Sequence, residues 1–216
     1  MVLGIYGCGG LGQEVYMLAR RIEHRAHRWD RVIFIDDAAP ARELEGVSVY
    51  KLNEAAQQFA ALEIAVAVGE PSVREILLEK HRAAGLPSAT LVYPDVYVDE
   101  TTQLGEGCII SEGVYLSCHV TLGEGCYLQP LSSLGHNVRL GRCSVISSHC
   151  QLSGDCTVGD RFYIGFNGGV KNGLTIGNDV ICSAGAIVFR DLPDEVIAVG
   201  NPARVMKKNE ERRVFR

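Results

Sequence analysis

The stretch Leu122-Gly123-Glu124-Gly125-Cys126-Tyr127-Leu128-Gln129-Pro130-Leu131-Ser132-Ser133-Leu134-Gly135-His136-Asn137-Val138-Arg139-Leu140 places a leucine at every sixth position. The frame extends in both directions without a slip. Stepping by six from Val98 gives Leu104, Ile110, Leu116 and onward to Ile176, Cys182 and Val188, and fifteen of these sixteen positions are Val, Leu or Ile. One step back gives Val92. A second column, four places after each aliphatic residue, holds small or apolar side chains such as Cys108, Val114, Val120, Cys126, Ser132, Val138, Ser144, Cys150 and Cys156. Each six-residue unit therefore sends one large and one small side chain inward. A period of six fits an α-helix poorly, and the glycines that often follow the aliphatic residue (Gly105, Gly123, Gly135, Gly141) would weaken one further. Short strands joined by tight corners fit it well, with stacked coils pairing in parallel about 4.8 Å apart.

The first ninety residues have a different texture. Leu3-Gly4-Ile5-Tyr6 reads as a strand, and Gly7-Cys8-Gly9-Gly10-Leu11-Gly12 follows it. A helix is expected from about Gly12 to Ile22, then a strand Val32-Ile33-Phe34-Ile35 ending in Asp36-Asp37. A third apolar run, Ile64 to Val68, ends at Gly69, and a helix from about Ser72 to Ala84 stops at Gly85. Strand–helix–strand alternation predicts a parallel sheet, an α/β Rossmann-like βαβ domain. Gly7, Gly9 and Gly12 match G-x-G-x-x-G between a strand and a helix, and Asp36 closes the next strand where a ribose-binding acid would sit. Glycines let a phosphate-bearing ligand approach the free amides of a helix start, so the motif points to a nucleotide; a tight turn in a purely structural domain is the plainer alternative.

Composition narrows the field. The chain has 216 residues, 21 Lys+Arg against 26 Asp+Glu, and a net charge of −5, which argues against non-specific nucleic-acid binding. No run of 18 apolar residues exists to span a membrane. Met1 to Tyr6 reads as a strand and not as a leader, so a cytoplasmic location is expected. The eight cysteines form no CxxC pair, so no metal site is expected; those of the small-residue column read as core filler.

The repeat resembles the [LIV]-[GAED]-x-x-[STAV]-x signature of the hexapeptide-repeat acyltransferases, and Gly200-Asn201-Pro202-Ala203-Arg204 resembles that family's ending. The domain order is similar to the NeuD and PglD-like sugar O- and N-acetyltransferases over nearly the whole chain. The resemblance implies a left-handed parallel β-helix after the Rossmann-like domain. It divides the chain into a nucleotide-sugar-binding domain at 1–90, an acetyl-CoA domain at 91–195 and a C-terminal tail at 196–216. It further implies a homotrimer, with acetyl-CoA lying where two subunits meet and contacted at Val145, Phe166 and Ala184. The acceptor would face Gly10, Leu11, Gly12, Asp36, Asp37 and Gly69. Basic tail residues (Arg204, Lys207, Lys208, Arg212, Arg213, Arg216) are candidates for CoA phosphates or for a solvated tail. The family's His-Pro before the first coil is Tyr93-Pro94 here.

Six histidines are present. His24, His27 and His81 lie in polar stretches and read as solvated. His136, two residues after Leu134, matches the family's general base, which takes a proton from the nucleophile that attacks a thioester. The family's following Glu or Asp is Asn137 here, so another carboxylate must supply the charge, or the base is weaker, or the acceptor is an amine that needs less help. Direct transfer is expected; Cys118, one coil before His136, is the one cysteine with a claim to chemistry, and His149 reads as corner packing. The leading reading is N-acetylation of a nucleotide-linked amino sugar. Sugar O-acetylation, as of a sialic acid, is the second. A catalytically silent nucleotide-sugar-binding protein comes from another class, and a nicotinamide oxidoreductase is the weakest. If position 137 tunes the base, Asn137→Asp should move the acidic limb of the pH–rate profile to higher pH; an unmoved limb would reject that role.

Overall fold

The computed structural model describes residues 1–39 and 42–215, so Arg216 lies outside the described residues. The N-terminal part alternates strand and helix: β1 Val2–Tyr6, α1 Gly10–Ala26, β2 Arg31–Ile35, β3 Glu43–Leu44, β4 Val47–Tyr50, α2 Leu52–Gln58, β5 Leu62–Val66 and α3 Pro71–Ala83. The sheet order is β3-β4-β2-β1-β5, parallel except at the β3–β4 hairpin. α1 begins two residues before the expected start and runs four beyond the expected end: its buried stripe of Val15, Leu18, Ala19 and Ile22 stops there, and the added last turn is largely exposed and carries His24 and Arg25, basic residues that suit a helix C-terminus. His27, in the left-handed conformation at φ 47°, ends it.

The second part is a left-handed β-helix. Fifteen two-residue strands run from Gln103–Leu104 to Ile187–Val188, five on each of three faces. Every pairing joins residue i to i+18, as in Thr121↔Arg139 and Leu122↔Leu140. The aliphatic column forms one core with Cys108, Cys126, Cys150, Cys156 and Phe162. Burying each aliphatic plug contributes about 2 kcal/mol, which offsets the entropy of holding so many short strands. Burial pushes the thiols of Cys143 and Cys150 up to about 11 and that of Cys182 to about 12. At neutral pH they pack as hydrophobes and are not nucleophiles.

The N-terminal domain sits on one face of this prism. Strand β6, Leu91–Val92, joins the sheet of Ile109–Ile110, and outward side chains of that face (Ile109, Tyr127, Val145) share a core with α1, β1 and β2. α3 runs along one edge of the same face. Its Glu75 reaches Arg142 at 3.2 Å and Arg161 at 3.0 Å, and Arg82 reaches Glu124 at 2.7 Å. Between these pairs lies Arg74, fully buried. It donates Nε and Nη2 to the Gly125 carbonyl at 3.0 and 2.8 Å, and Nη1 to the Val66 and Val68 carbonyls at 2.9 Å each. One guanidinium thus ties a β-helix corner to the end of β5. At the far end Val196–Val199 pairs with Ile181–Cys182, and the antiparallel strand Arg204–Lys208 closes the sheet. Among the described residues no helix is long and apolar enough to cross a membrane.

His81 corrects the sequence reading, for it is buried and not solvated. α3 turns it inward, where Nδ1 lies 3.0 Å from the Leu86 carbonyl and Nε2 lies 3.4 Å from Ser88 Oγ. The polar neighbours in sequence face outward, and the helical period hides the one that does not. Burial lowers the His81 pKa below its ordinary 6.5. The unfolded chain gains a proton below that pH and the folded chain resists it, so this stability is present above pH 6.5 and is lost on acidification. A His81→Gln variant is expected to flatten the fall in urea midpoint between about pH 6.5 and 5; an unchanged slope would contradict it. Arg74→Ala should leave its carbonyl partners unpaired around a cavity and lower stability by about 3 kcal/mol, measured by urea titration at pH 7.5.

Candidate functional site

His136 stands at a corner of the prism, between the strand Ser133–Leu134 and the strand Arg139–Leu140. The i+18 register stacks Cys118, His136 and Gly154 in one column, and His119, Asn137 and Asp155 in the next. The Asn137 amide donates to the Cys118 carbonyl at 3.1 Å, and the Asp155 amide to the His136 carbonyl at 2.8 Å. The imidazole lies flat against the following coil. A Cβ on Gly154 would fall 2.5 Å from both Cε1 and Nε2 of His136, so only glycine at 154 leaves room for the ring. Asn137 adopts φ 60°, a left-handed conformation that Asn tolerates better than most residues. This aims its amide back along the ring edge.

Asn137 Nδ2 donates to Asp155 Oδ1 at 2.7 Å and lies 3.2 Å from His136 Nδ1. Asp155 Oδ1 is itself 3.6 Å from Nδ1. A carboxylate therefore stands beside the imidazole although the residue after it is neutral. The Asn137 amide nitrogen donates to Nδ1 in this arrangement; when Nδ1 carries a proton, the tautomer that leaves Nε2 free to take one, Asp155 Oδ1 at 3.6 Å is the acceptor beside it. His136 and Asp155 are each more than half exposed, so the site is open on the outer side.

The glycine loop forms a second cluster. Gly7 takes φ 114° against the Ala67 carbonyl, and a Cβ on Gly12 would meet the Gly7 oxygen at 2.0 Å. That approach draws α1 tight under the loop. No side chain caps α1, and its first turn, Gly10, Leu11 and Gly12, carries no acid. Asp36 and Asp37, just past the end of β2, take different partners. Asp36 Oδ1 accepts the Ala38 and Ala39 amides at 3.0 and 3.1 Å, and Oδ2 accepts the Cys8 amide and thiol at 3.3 and 3.2 Å. Burial works against its charge, but the Ala38 amide and the Cys8 contacts outweigh it and hold the carboxyl below its usual range. Asp37 is also held low against burial, by Lys80 Nζ at 2.6 Å, the Tyr6 hydroxyl and the Leu52 amide at 3.0 Å. Its partners lie on α2, α3 and β1, so Asp37 braces the domain, while Asp36 shapes the loop. Gly69 meets Leu11: a Cβ there would touch Leu11 Cδ2 at 3.6 Å.

Residues 2–81 match the family model described as the PglD N-terminal domain. The chain is similar along its length to a GDP-perosamine N-acetyltransferase from Escherichia coli O157:H7, 26% identical over 213 residues, covering 95% of this chain and 96% of that protein. The crystal structure of PerB from Caulobacter crescentus, in complex with CoA and GDP-perosamine, aligns with a TM-score of 0.87 at 28% identity, over 96% of this chain and 98% of that one. The family model thus covers the N-terminal domain, and the likeness to these proteins runs over nearly the whole chain. The acetyltransferase domain of PglB from Neisseria gonorrhoeae, in complex with acetyl coenzyme A, aligns with a TM-score of 0.87 at 26% identity, over 95% and 98% of the two chains.

The structure brings some expected residues together and separates others. Phe166 and Ala184 share a corner, where the Gly185 amide bonds the Phe166 carbonyl at 2.8 Å, and both side chains are exposed. Val145 does not join them. It is wholly buried under the N-terminal domain, because its odd-numbered position points out of the β-helix into the face that domain covers. His149 is exposed at the Phe166 corner with φ 59°, away from His136. The glycine loop belongs to the domain on one face, whereas His136 stands on the opposite edge. Of the basic tail residues, Arg212 is engaged, with Nη2 2.6 Å from Glu195. Sequence reasoning missed Asp155 and Gly154, yet both were within reach: each lies eighteen places after a residue already singled out.

Proposed function

We propose that the chain transfers acetyl from acetyl-CoA to the amine of a nucleotide-linked sugar, directly and with His136 as general base. The carrying observation is the imidazole seated on Gly154 with the Asp155 carboxylate at its Nδ1 side. The acceptor nitrogen attacks the thioester carbon, a C–N bond forms, the C–S bond breaks, and Nε2 of His136 takes the amine proton. Asp155 orients the ring and stabilises the imidazolium, the work that Asn137 cannot do by charge. Asn137 holds Asp155 in place through its 2.7 Å hydrogen bond. Phe166 and Ala184 face the donor. Gly10, Leu11, Gly12 and Gly69 face the acceptor, with Asp36 ordering their loop. The relatives that act on GDP-perosamine make that nucleotide sugar the first acceptor to test.

The reading includes a homotrimer in the cytoplasm. Support comes from the separation of the two clusters within one chain, which a neighbouring copy would bridge. The face of strands Tyr115–Leu116 to Ile187–Val188 lies between the His136 and Phe166 corners. It carries exposed Tyr115, with Leu131, Phe166 and Phe189 beside it.

The test is CoA thiol release with acetyl-CoA against paired amine and hydroxyl acceptors on the same nucleotide. Amine-dependent release is expected, and release only with hydroxyl acceptors would shift the reading to O-acetylation. His136→Ala should lower kcat/KM about 100-fold or more. Asp155→Asn should lower kcat about tenfold with little change in either KM, since it acts through the imidazole. Unchanged kinetics in Asp155→Asn would remove it from the mechanism.

A further inference from the structure

We propose that Phe215 is an acceptor-positioning residue: the segment Arg213 to Phe215 forms one wall of the nucleotide-sugar site, and Glu70 holds it there. This rests on the reading of the glycine loop as the acceptor site.

The tail is anchored before it reaches that loop. Asn209 is buried and donates Nδ2 to the Asp179 carbonyl at 2.9 Å, and Arg212 pairs with Glu195. The chain then crosses from the end of the β-helix to the N-terminal domain. The Val214 amide donates to Glu70 Oε2 at 2.9 Å and Oε1 at 3.1 Å, and the Phe215 amide donates to Oε2 at 3.0 Å. Glu70 is buried and occupies the N-cap position of α3, yet its side chain caps nothing in its own helix. The carboxylate is spent on the tail instead. Hydrogen bonds to a carboxylate are stronger than neutral ones, so this grip fixes the last residues closely.

That grip sets the Phe215 ring at the loop. A Cβ on Gly69 would lie 3.5 Å from Phe215 Cε2 and 3.6 Å from Leu11 Cδ2, so ring, loop and helix start meet at one point. The ring also packs edge-on against Tyr163, with centroids 5.6 Å apart at 85°. It nevertheless remains 55% exposed. A phenylalanine fixed by its backbone and one ring edge, with the rest of its surface open beside a phosphate-type loop, is suited to stack on a base or on the apolar side of a sugar.

The experiment compares wild type, Phe215→Ala, Phe215→Trp and Glu70→Ala by steady-state kinetics with acetyl-CoA and GDP-perosamine, and by calorimetric binding of GDP-perosamine alone. Phe215→Ala and Glu70→Ala should raise the acceptor KM and Kd about tenfold, the usual loss for one stacked ring, and leave the acetyl-CoA KM unchanged. Phe215→Trp should stay near wild type. An unchanged acceptor KM and Kd in Phe215→Ala, or an equal rise in both KM values, overturns the proposal. A fall in acceptor KM overturns it too and makes the tail a plug. Wild type that binds GDP-perosamine without turnover would sink the catalytic reading alone, and Kd would still decide the role of Phe215. Wild type that neither binds nor turns over the sugar overturns both.

Discussion

A coil of eighteen residues closes on itself only if each turn repeats the inward pattern of the last. Every strand pair in the β-helix obeys that rule, from Gln103↔Thr121 to Val170↔Val188. Side-chain geometry at the corners follows from it. A residue's neighbour above or below is the one eighteen places away, so His136 rests on Gly154 and Asn137 reaches Asp155. The His136 corner needs no separate scaffold: the aliphatic core that stabilises the prism also sets the spacing between imidazole and carboxylate. A slip of one residue would take the large plug out of the core and part the imidazole from its partner.

The N-terminal domain is fixed to this prism by polar contacts around a buried cation. Burial works against the charge of Arg74, and its carbonyl partners on both domains compensate. Of the two carbonyls on the domain side, Val66 and Val68, the second immediately precedes Gly69. The clasp that joins the domains therefore also holds the loop read as the acceptor site. Glu70 follows in the chain and takes the tail amides. Three successive features, Val68, Gly69 and Glu70, thus connect the β-helix corner, the loop and the C-terminus.

Legibility differed from residue to residue. The sixfold column and the G-x-G-x-x-G loop could be read because each is a local pattern with a local cause: side-chain volume facing a core, and a turn that excludes Cβ. The departure at Asn137 is visible in the sequence, and the repeat places Asp155 one coil on, but only the folded corner shows its carboxylate beside the imidazole. His81 misled for a related reason. Its polar neighbours on α3 suggested a wet face, while its own position points inward to Leu86 and Ser88. Val145 keeps the frame of the repeat but lies under a domain whose placement no repeat encodes.

The amino-acid order alone determined the stacked coils, their number and the Rossmann-like start, because periodic burial and glycine turns act over a few residues, whereas His136 was singled out by a family resemblance. Tertiary structure decided which face the first domain covers, which acid stands by His136, and where the chain's end comes to rest. The first and last of those outcomes depend on Arg74 reaching Gly125 and on Glu70 reaching Phe215, contacts across 51 and 145 residues. Hydrogen bonds of that span carry no periodic trace in sequence; they exist only once the coils have closed.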